Sequence, residues 1–275
     1  MNQVLDVQKL EKSYGQKVVL KDLSFSISEQ QIVAFLGPNG AGKSTTLKII
    51  MGLRRPDSGN LRIFGSDVHS LKIKDQMGYT SQDLSFPAQL KVEEILKFVS
   101  AHYSNPVPLP ELTRRFELTD LMSNKVGGLS GGQKRRLGLA CAMVGRPKIL
   151  ILDEPTTGLD VESRHQLWQE IKNFKKNGGT VLLSTHDLNE AGTVADRVLV
   201  IDHGNLISDG TVEQIKKKID YQKITYEYEG QPVLEYVQDS DHFVKNLVSQ
   251  KPHFKNLHIH PSTLEEAFLK IRGKS

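Results

Sequence analysis

A glycine-rich segment near the N-terminus has the residues and the spacing of a phosphate-binding loop. It reads GPNGAGKS from Gly37 to Ser44 and fits the pattern G-x-x-x-x-G-K-[ST]. The apolar run 32–36 precedes it and a helical pattern over residues 45–51 follows it, so backbone N–H groups and the positive end of a helix can face phosphates. Lys43 is then expected to reach the β- and γ-phosphates, and the Ser44 hydroxyl to bind Mg²⁺. The segment predicts a site for a nucleoside triphosphate and its metal.

The base of that nucleotide is predicted from a motif that is missing. Guanine is read by Asn-Lys-x-Asp in GTPases, whereas Asn124-Lys125 is followed here by Val126-Gly127. This difference favours adenine, and hence ATP. An ordinary glycine-rich turn is the alternative interpretation of the loop. The residues expected to contact the nucleotide from the loop are Gly37, Pro38, Asn39, Gly40, Ala41, Gly42, Lys43, Ser44 and Thr45.

Two adjacent carboxylates follow another apolar run. Asp153 and Glu154 come directly after residues 149–152, whose sequence ILIL is typical of a buried strand in a parallel sheet. Ligands of open α/β sheets bind at the carboxyl ends of such strands. Asp153 is expected to support Mg²⁺, and Glu154 to act as general base or to orient the attacking water. The alternative is a pair of helix-capping acids before Pro155.

A third motif resembles that of a known family. Leu129 to Gln133 read LSGGQ ahead of a helical pattern, and this pentapeptide resembles the signature of the ATP-binding cassette (ABC) proteins. A serine and two glycines at a helix N-terminus can bind an anion. The glycine-rich loop at residues 37–44 already surrounds the phosphates from one side, so this segment is a second predicted anion site. One copy of each per chain suggests a two-fold dimer in which Ser130 and Gly132 of one protomer contact the γ-phosphate held by Lys43 of the other. ATP would then hold the two chains together.

The resemblance to ABC proteins implies roles for further residues. By analogy, Tyr14 stacks on adenine and Asp160 bridges the two protomers. Gln82 contacts Mg²⁺ and links two lobes, whereas His186 bonds to the γ-phosphate and orients the catalytic carboxylate. Taken singly, each has an ordinary structural explanation. The resemblance completes the nucleotide-binding set with Ser130, Gly131, Gly132 and Gln133. The metal-binding set is Ser44, Gln82 and Asp153, and the catalytic set is Glu154, His186 and Gln82.

The order of sequence patterns predicts an α/β fold. Short β-branched apolar runs with helical patterns between several of them indicate an α/β fold; they lie at residues 18–20, 32–36, 149–152, 181–184 and 198–201. Runs such as 149–152 are apolar on both faces and fit central strands of a parallel sheet covered by helices on each side. Residues 1–30 alternate in polarity and turn at residues 14–16, as an antiparallel sheet does. Between about residues 88 and 145 three helical patterns predict an inserted helical subdomain; they lie at residues 92–103, 111–122 and 131–144. With the resemblance, these features imply a P-loop NTPase core of the RecA-like type.

The pattern changes again after residue 218. Strand patterns at residues 224–228 and 233–237 are followed by helical patterns at 241–249 and 262–271. They predict a small α+β extension over residues 219–275, behind an ABC ATPase domain of residues 1–218. The segment 261–270 resembles the ending of cassettes from multidrug and polysaccharide exporters, which favours export over import. Its alternative is purely structural, because its two glutamates also suit the first turn of a helix.

Composition and charge exclude few classes of protein. The chain has 38% hydrophobic and 25% charged residues, and its net charge of +4 is spread along the sequence, so no nucleic-acid partner is expected. Basic clusters at residues 134–136 and 216–218 are interpreted as solvated helix faces. The single cysteine, Cys141, excludes an intrachain disulfide and is expected to be a buried structural thiol.

The expected location is the cytoplasm, peripheral on the inner face of the cell membrane. No apolar segment approaches the roughly 20 residues that span a bilayer, and the N-terminus lacks a signal-peptide pattern. The resemblance therefore implies a separate transmembrane permease, and a dimer with an identical or homologous cassette. Leu84, Phe86 and Leu90 are candidates for contacting the permease, with packing of the helical subdomain as the alternative. The competing hypothesis is a soluble ABC-type ATPase that acts on nucleic acid or ribosomes.

Overall fold

The structure, a computed structural model, describes residues 3–219 and 221–261. Its strands, in chain order, are β1 (Gln3–Tyr14), β2 (Lys17–Ser28), β3 (Ile32–Leu36), β4 (Ser58–Ile63), β5 (Ser66–Asp67), β6 (Met77–Thr80), β7 (Ile149–Asp153), β8 (Thr180–Thr185), β9 (Arg197–Asp202), β10 (Asn205–Gly210), β11 (Gln222–Tyr228), β12 (Gln231–Val237) and β13 (Lys255–Pro261). Its α-helices are α1 (Lys43–Ile50), α2 (Leu71–Lys74), α3 (Val92–Ser100), α4 (Leu109–Arg115), α5 (Gly131–Met143), α6 (Val161–Lys176), α7 (Leu188–Val194), α8 (Val212–Ile219) and α9 (Ser240–Gln250).

The chain divides into two compact units between Gly210 and Thr211. The expected boundary, after residue 218, lies near the other end of α8. This helix belongs to the second unit, where Gln238, directly after β12, donates hydrogen bonds to the carbonyls of Lys217 and Lys218.

A six-stranded sheet in the order β10-β9-β3-β8-β7-β6 forms the centre of the first unit. Neighbouring strands from β6 to β9 pair in parallel, whereas β10 is antiparallel to β9. Every residue of β3, β7 and β8 is buried. The sheet is therefore covered on both faces, as the doubly apolar runs predict. The predicted α/β fold with a parallel central sheet is confirmed.

An antiparallel sheet, in the order β2-β1-β4-β5, contains the N-terminal residues. Tyr14 pairs with Lys17 across the turn between β1 and β2, and Gly15 in that turn has a φ of 58°. The antiparallel pair predicted within residues 1–30 is thus present, and β4 and β5 extend it. One core cluster joins this sheet to the central sheet, with Phe35 of β3 fully buried in it.

Helices replace strands between β6 and β7, as predicted. α3 and α5 occupy two of the three predicted helical ranges, but the third, 111–122, is α-helical only in its first part and contains a short 3-10 helix, Thr119–Leu121, near its end. α4 ends at Arg115, and Glu117 then adopts a φ of 50°, which an L-residue cannot continue as a right-handed helix. Pro110 lies in the first turn of α4. A backbone N–H in the first turn donates no hydrogen bond within the helix, so proline is tolerated there.

The second unit contains a three-stranded antiparallel sheet, β12-β11-β13, and α9. Its small core is formed by Ile224, Tyr226 and Leu247. β11, β12 and α9 occupy predicted ranges, whereas β13 was not predicted, because almost all of its side chains are exposed and it lacks apolar alternation. The predicted helix at residues 262–271 lies outside the described residues.

Within the ranges 3–219 and 221–261, no helix is both long enough and apolar enough to cross a bilayer.

Candidate functional site

The glycine-rich loop connects the carboxyl end of β3 to the first residue of α1, as predicted. Gly42 lies at the start of α1 with a φ of 108°, and a Cβ there would lie 2.6 Å from a methyl carbon of Leu20. A Cβ on Gly37 would lie 2.2 Å from the carbonyl oxygen of Ile201. Both positions therefore require glycine. Gly37, Ala41, Gly42 and Lys43 are buried, whereas the other residues expected to contact the nucleotide are partly or fully exposed: Pro38, Asn39, Gly40, Ser44 and Thr45.

Lys43 is a buried cation inside this loop. Its ammonium donates to the carbonyls of Gly37 and Pro38 at 2.7 and 3.1 Å, and it lies 3.7 Å from Oε1 of Glu154. Burial lowers the pKa of the Lys43 ammonium, while the carboxylates of Glu154 and Asp153 act in the opposite direction. The ammonium is thus held where the loop can receive a phosphate.

Ser44 and Asp153 meet beside the loop, although they are far apart in sequence. The Ser44 hydroxyl donates to Oδ1 of Asp153 at 3.1 Å, and the Ser184 hydroxyl donates to the same oxygen at 2.6 Å. A hydroxyl next to a carboxylate suits Mg²⁺, which takes oxygen ligands and completes its shell with water and substrate phosphates. Within the described part of the chain, no group of three His, Cys, Asp or Glu side chains could hold a metal alone. The paired oxygens of Ser44 and Asp153 fit a Mg²⁺ ion whose other ligands come from water and nucleotide phosphates.

Glu154 has an unusual backbone conformation directly after β7. Its φ is 44°, in the left-handed region that costs a non-glycine residue on the order of 1 kcal/mol or more. Its N–H donates to the Ser184 hydroxyl at 2.9 Å, which fixes this conformation from the neighbouring strand β8. The strained turn directs a buried carboxylate toward the glycine-rich loop.

Three side chains converge on Oε2 of Glu154. Gln82 Nε2 donates to it at 3.3 Å, and the Thr157 hydroxyl at 3.2 Å. His186, directly after β8, places Nδ1 at 3.4 Å while its ring remains 58% exposed. The structure therefore brings Glu154, Gln82 and His186 together. Thr157 is an additional neighbour that the sequence did not indicate.

The LSGGQ segment begins α5 with a reciprocal cap. The Ser130 hydroxyl accepts from the Gln133 N–H at 3.2 Å, and the Gln133 side chain accepts from the Ser130 N–H at 2.9 Å. A Cβ built on Gly132 would lie 3.2 Å from the Ser163 hydroxyl, and the nearest atom to one on Gly131 would be the Gly158 carbonyl oxygen, at 3.8 Å. These contacts place the segment beside the start of α6.

Asp160 and Tyr14 have local contacts of their own. Asp160 caps α6 by accepting from the N–H and hydroxyl of Ser163 at 2.8 and 3.2 Å, and these bonds lower the pKa of its exposed carboxyl group. The Tyr14 ring is 45% exposed and lies 5.6 Å from the Lys12 ammonium. No hydrogen bond among the described residues joins Tyr14 to the loop at 37–44.

Arg135 is a site residue that the sequence analysis missed. The predicted solvated helix face at residues 134–136 is wrong for Arg135, because its side chain is buried. Its guanidinium donates to the carbonyls of Ser81, Gln82 and Thr157 at 2.9, 3.1 and 3.3 Å. These acceptors are backbone atoms of distant segments, so no residue type in the sequence indicates the contact.

The fold and this arrangement define a P-loop nucleoside triphosphatase. Residues 20–157 match the family described as ABC transporter. The Nod factor export ATP-binding protein I of Burkholderia orbicola (strain AU 1054) is 34% identical, over 98% of this chain and 97% of its own length. The chain therefore belongs to the ABC transporter family. It is an ATP-binding subunit and an ATPase.

Two solved structures show the same fold. The ATP-binding subunit of an ABC transporter superposes with a TM-score of 0.71 at 32% identity, and covers 78% of this chain and 92% of its own. A dimeric, post-hydrolysis ATP-binding cassette bound to ADP and Pi superposes with a TM-score of 0.69 at 27% identity, and covers 76% of this chain and 98% of its own.

Proposed function

We propose that two copies of this subunit, or one copy and a homologous cassette, close around two ATP molecules and drive export through a separate transmembrane permease. The main support for this proposal is the position of Glu154. Its carboxylate contacts Lys43 of the loop on one side, and Gln82 and His186 on the other. This arrangement supports hydrolysis at a phosphate held in the loop.

The proposed reaction is attack of water on the γ-phosphorus of ATP. The bond from the γ-phosphorus to the β–γ bridging oxygen breaks, and ADP leaves with that electron pair. Glu154 orients the water and accepts its proton, His186 bonds to the γ-phosphate, and Lys43 neutralises charge on the β- and γ-phosphates. The 3.4 Å contact from His186 to Glu154 supports joint action of these two side chains.

Ser44, Asp153 and Gln82 are the residues proposed to hold Mg²⁺ with the nucleotide. When bound, the metal supplies positive charge to the phosphates. The hydrogen bond from Ser44 to Asp153 supports this assignment, because it places a hydroxyl and a carboxylate beside the loop.

The signature segment is proposed to bind the ATP held by the partner protomer. Ser130, Gly131, Gly132 and Gln133 would contact its γ-phosphate, while Asp160 bridges the protomers and Tyr14 stacks on adenine. The contacts of Gly131 and Gly132 with residues near Asp160 support a shared surface for these groups. The related cassette bound to ADP and Pi is dimeric, which also supports the arrangement.

Export and the permease are supported by the relatives, which are named export ATP-binding proteins. The proposed location is accordingly the cytoplasmic face of the membrane. Among the three candidate docking residues, Leu84 packs against α5, where a Cβ on Gly138 would lie 2.7 Å from it. Leu90 is exposed and Phe86 half-buried. These two residues are the better candidates for contacting the permease.

The dimer is tested with Glu154→Gln, which retains the loop and the hydrogen-bonding shape of the side chain while removing the base. We expect this variant to become dimeric in Mg-ATP and to remain monomeric in Mg-ADP, as measured by light scattering. Glu154→Gln combined with Lys43→Ala is the matched control and should remain monomeric in both. A Glu154→Gln protein that stays monomeric in saturating Mg-ATP would contradict the closed dimer.

A further inference from the structure

We propose that Arg135 is a positioning residue that couples the signature end of α5 to the orientation of Glu154 in the same chain. The inference rests on the proposed function, because it assumes that ATP held by the partner contacts that end of α5. Arg135 itself touches neither the loop nor the phosphates. Its effect would be exerted through the two segments that it holds.

The first of these segments follows β6. Arg135 donates to the carbonyls of Ser81 and Gln82 at 2.9 and 3.1 Å. The Gln82 side chain in turn donates to Oε2 of Glu154 at 3.3 Å. One guanidinium therefore fixes the backbone from which a neighbour of the proposed base extends.

The second segment follows Glu154 itself. Arg135 donates to the carbonyl of Thr157 at 3.3 Å, and the Thr157 hydroxyl donates to Oε2 of Glu154 at 3.2 Å. Gln82 and Thr157 thus bond to the same carboxylate oxygen, and Arg135 bonds to the backbone of both. A displacement of α5 would move both donors at once.

The segment after β6 is attached to α5 at a second point. The Leu84 side chain packs on Gly138, where an added Cβ would lie 2.7 and 2.9 Å from its two methyl carbons. Arg135 and Gly138 lie about one turn apart on one helix. The two attachments make α5 and the segment 81–84 a single packed element.

A guanidinium is suited to this position for reasons of geometry and charge. Its planar fork reaches three carbonyls at once, which a lysine ammonium on a flexible stem does not match. Burial lowers the pKa of Arg135, and the nearby carboxylates of Asp83, Asp153 and Glu154 raise it. An arginine remains charged under these conditions, since its ordinary pKa is above about 12.

The signature segment, residues 129–133, lies at the N-terminal end of α5. Ser130 caps α5 a little more than one turn before Arg135. A γ-phosphate bound at Ser130 and Gly132 would therefore set the position of the helix that holds Gln82 and Thr157. The opposite ATP would in this way orient Glu154, and the two sites would hydrolyse ATP cooperatively.

The experiment measures steady-state ATP hydrolysis by the full chain for Arg135→Gln and Arg135→Lys. We expect kcat to fall about 10- to 100-fold in Arg135→Gln, because small misplacements of a catalytic group cost that much. ADP affinity should be unchanged, the Hill coefficient for ATP should fall toward one, and Arg135→Lys should recover part of kcat. Arg136→Gln is the matched control. It also removes a guanidinium from α5, but the Arg136 guanidinium pairs with Glu117 instead of with the carbonyls that Arg135 binds.

Gly138→Ala tests the inference independently of a buried charge. Alanine strengthens a helix, so a lower kcat in this variant reflects displacement of Leu84 rather than loss of α5. The inference is overturned if folded Arg135→Gln or Gly138→Ala retains the kcat and Hill coefficient of the Arg136→Gln control. If the Glu154→Gln variant fails to dimerise in Mg-ATP, the proposed function is contradicted. The kcat values of the Arg135 variants still decide whether Arg135 positions Glu154.

Discussion

The Lys43 ammonium lies 3.7 Å from a carboxylate oxygen of Glu154, and both side chains are almost completely buried. A phosphate in the glycine-rich loop would compete with Glu154 for this ammonium. The contact therefore links phosphate binding to the freedom of the proposed base. Such a buried pair is sensitive to the loss of either partner, because the remaining charge is left without compensation.

Lys43→Ala is expected to weaken ATP binding by about 100-fold or more, which corresponds to roughly 2.7 kcal/mol. The physical reason is the loss of the charged donor inside the loop. Isothermal titration calorimetry measures the affinity. Lys48→Ala, an exposed lysine on the same helix, is the control and should bind ATP normally. Equal affinities in the two variants would contradict the assignment of the loop.

Glu154→Gln is expected to bind ADP about 10-fold more tightly than the unmodified chain. The substitution removes a negative charge that competes with phosphate for Lys43, while it keeps a hydrogen-bonding side chain. Calorimetry with Mg-ADP separates this effect from ATP-driven dimerisation. Glu162→Gln removes an exposed carboxylate from α6 and should change little. A weaker affinity in Glu154→Gln would show that the carboxylate does not compete for the ammonium.

Phe86→Asp combined with Leu90→Asp is expected to retain ATPase activity in the absence of the permease and to lose most permease binding. Both side chains are at least partly accessible, so a charge there should cost little folding free energy. Co-purification of the permease provides the measurement. Leu234→Asp, at an exposed leucine of the second unit, serves as control. Undiminished co-purification would show that the permease binds a different surface of this chain.

Cys141 is expected to be almost inert to alkylation in the folded protein. Cys141 is half-buried rather than fully buried as predicted, but its desolvated surroundings raise the pKa of its thiol to about 12. Since a raised pKa disfavours the thiolate, only about one thiol in 10⁴ is ionised at pH 8, and the thiolate is the reactive form. Iodoacetamide labelling should therefore accelerate at least about 100-fold when the protein is unfolded in urea. Labelling at the same rate in both states would contradict a desolvated thiol.

The parts of the site predicted from the sequence are those that depend on local spacing. The glycine-rich loop, the Asp153-Glu154 pair and His186 each follow a strand whose apolar run is visible in the sequence. Parallel strands end at one edge of a sheet, so these residues had to meet. The same reasoning gave the central sheet, because buried strands are apolar on both faces.

The parts that were missed depend on contacts between distant segments. Arg135 is buried only because α5 packs against the backbone at Ser81, Gln82 and Thr157, and carbonyl acceptors carry no sequence signal. The sequence allowed Leu84 to contact either a permease or the helical subdomain, and it packs on α5 where Gly138 has no side chain. The edge strand β13 was missed because it is largely exposed.

The central claim is that this ATPase drives a membrane protein. The most direct measurement is purification of tagged Glu154→Gln in Mg-ATP from detergent-solubilised membranes of its native cell, with stoichiometric partners identified by mass spectrometry. Lys43→Ala with the same tag is the control, because it should not form the ATP-bound dimer. A polytopic membrane protein should co-purify with Glu154→Gln. Recovery of ribosomes, nucleic-acid-associated proteins or the chain alone would contradict it.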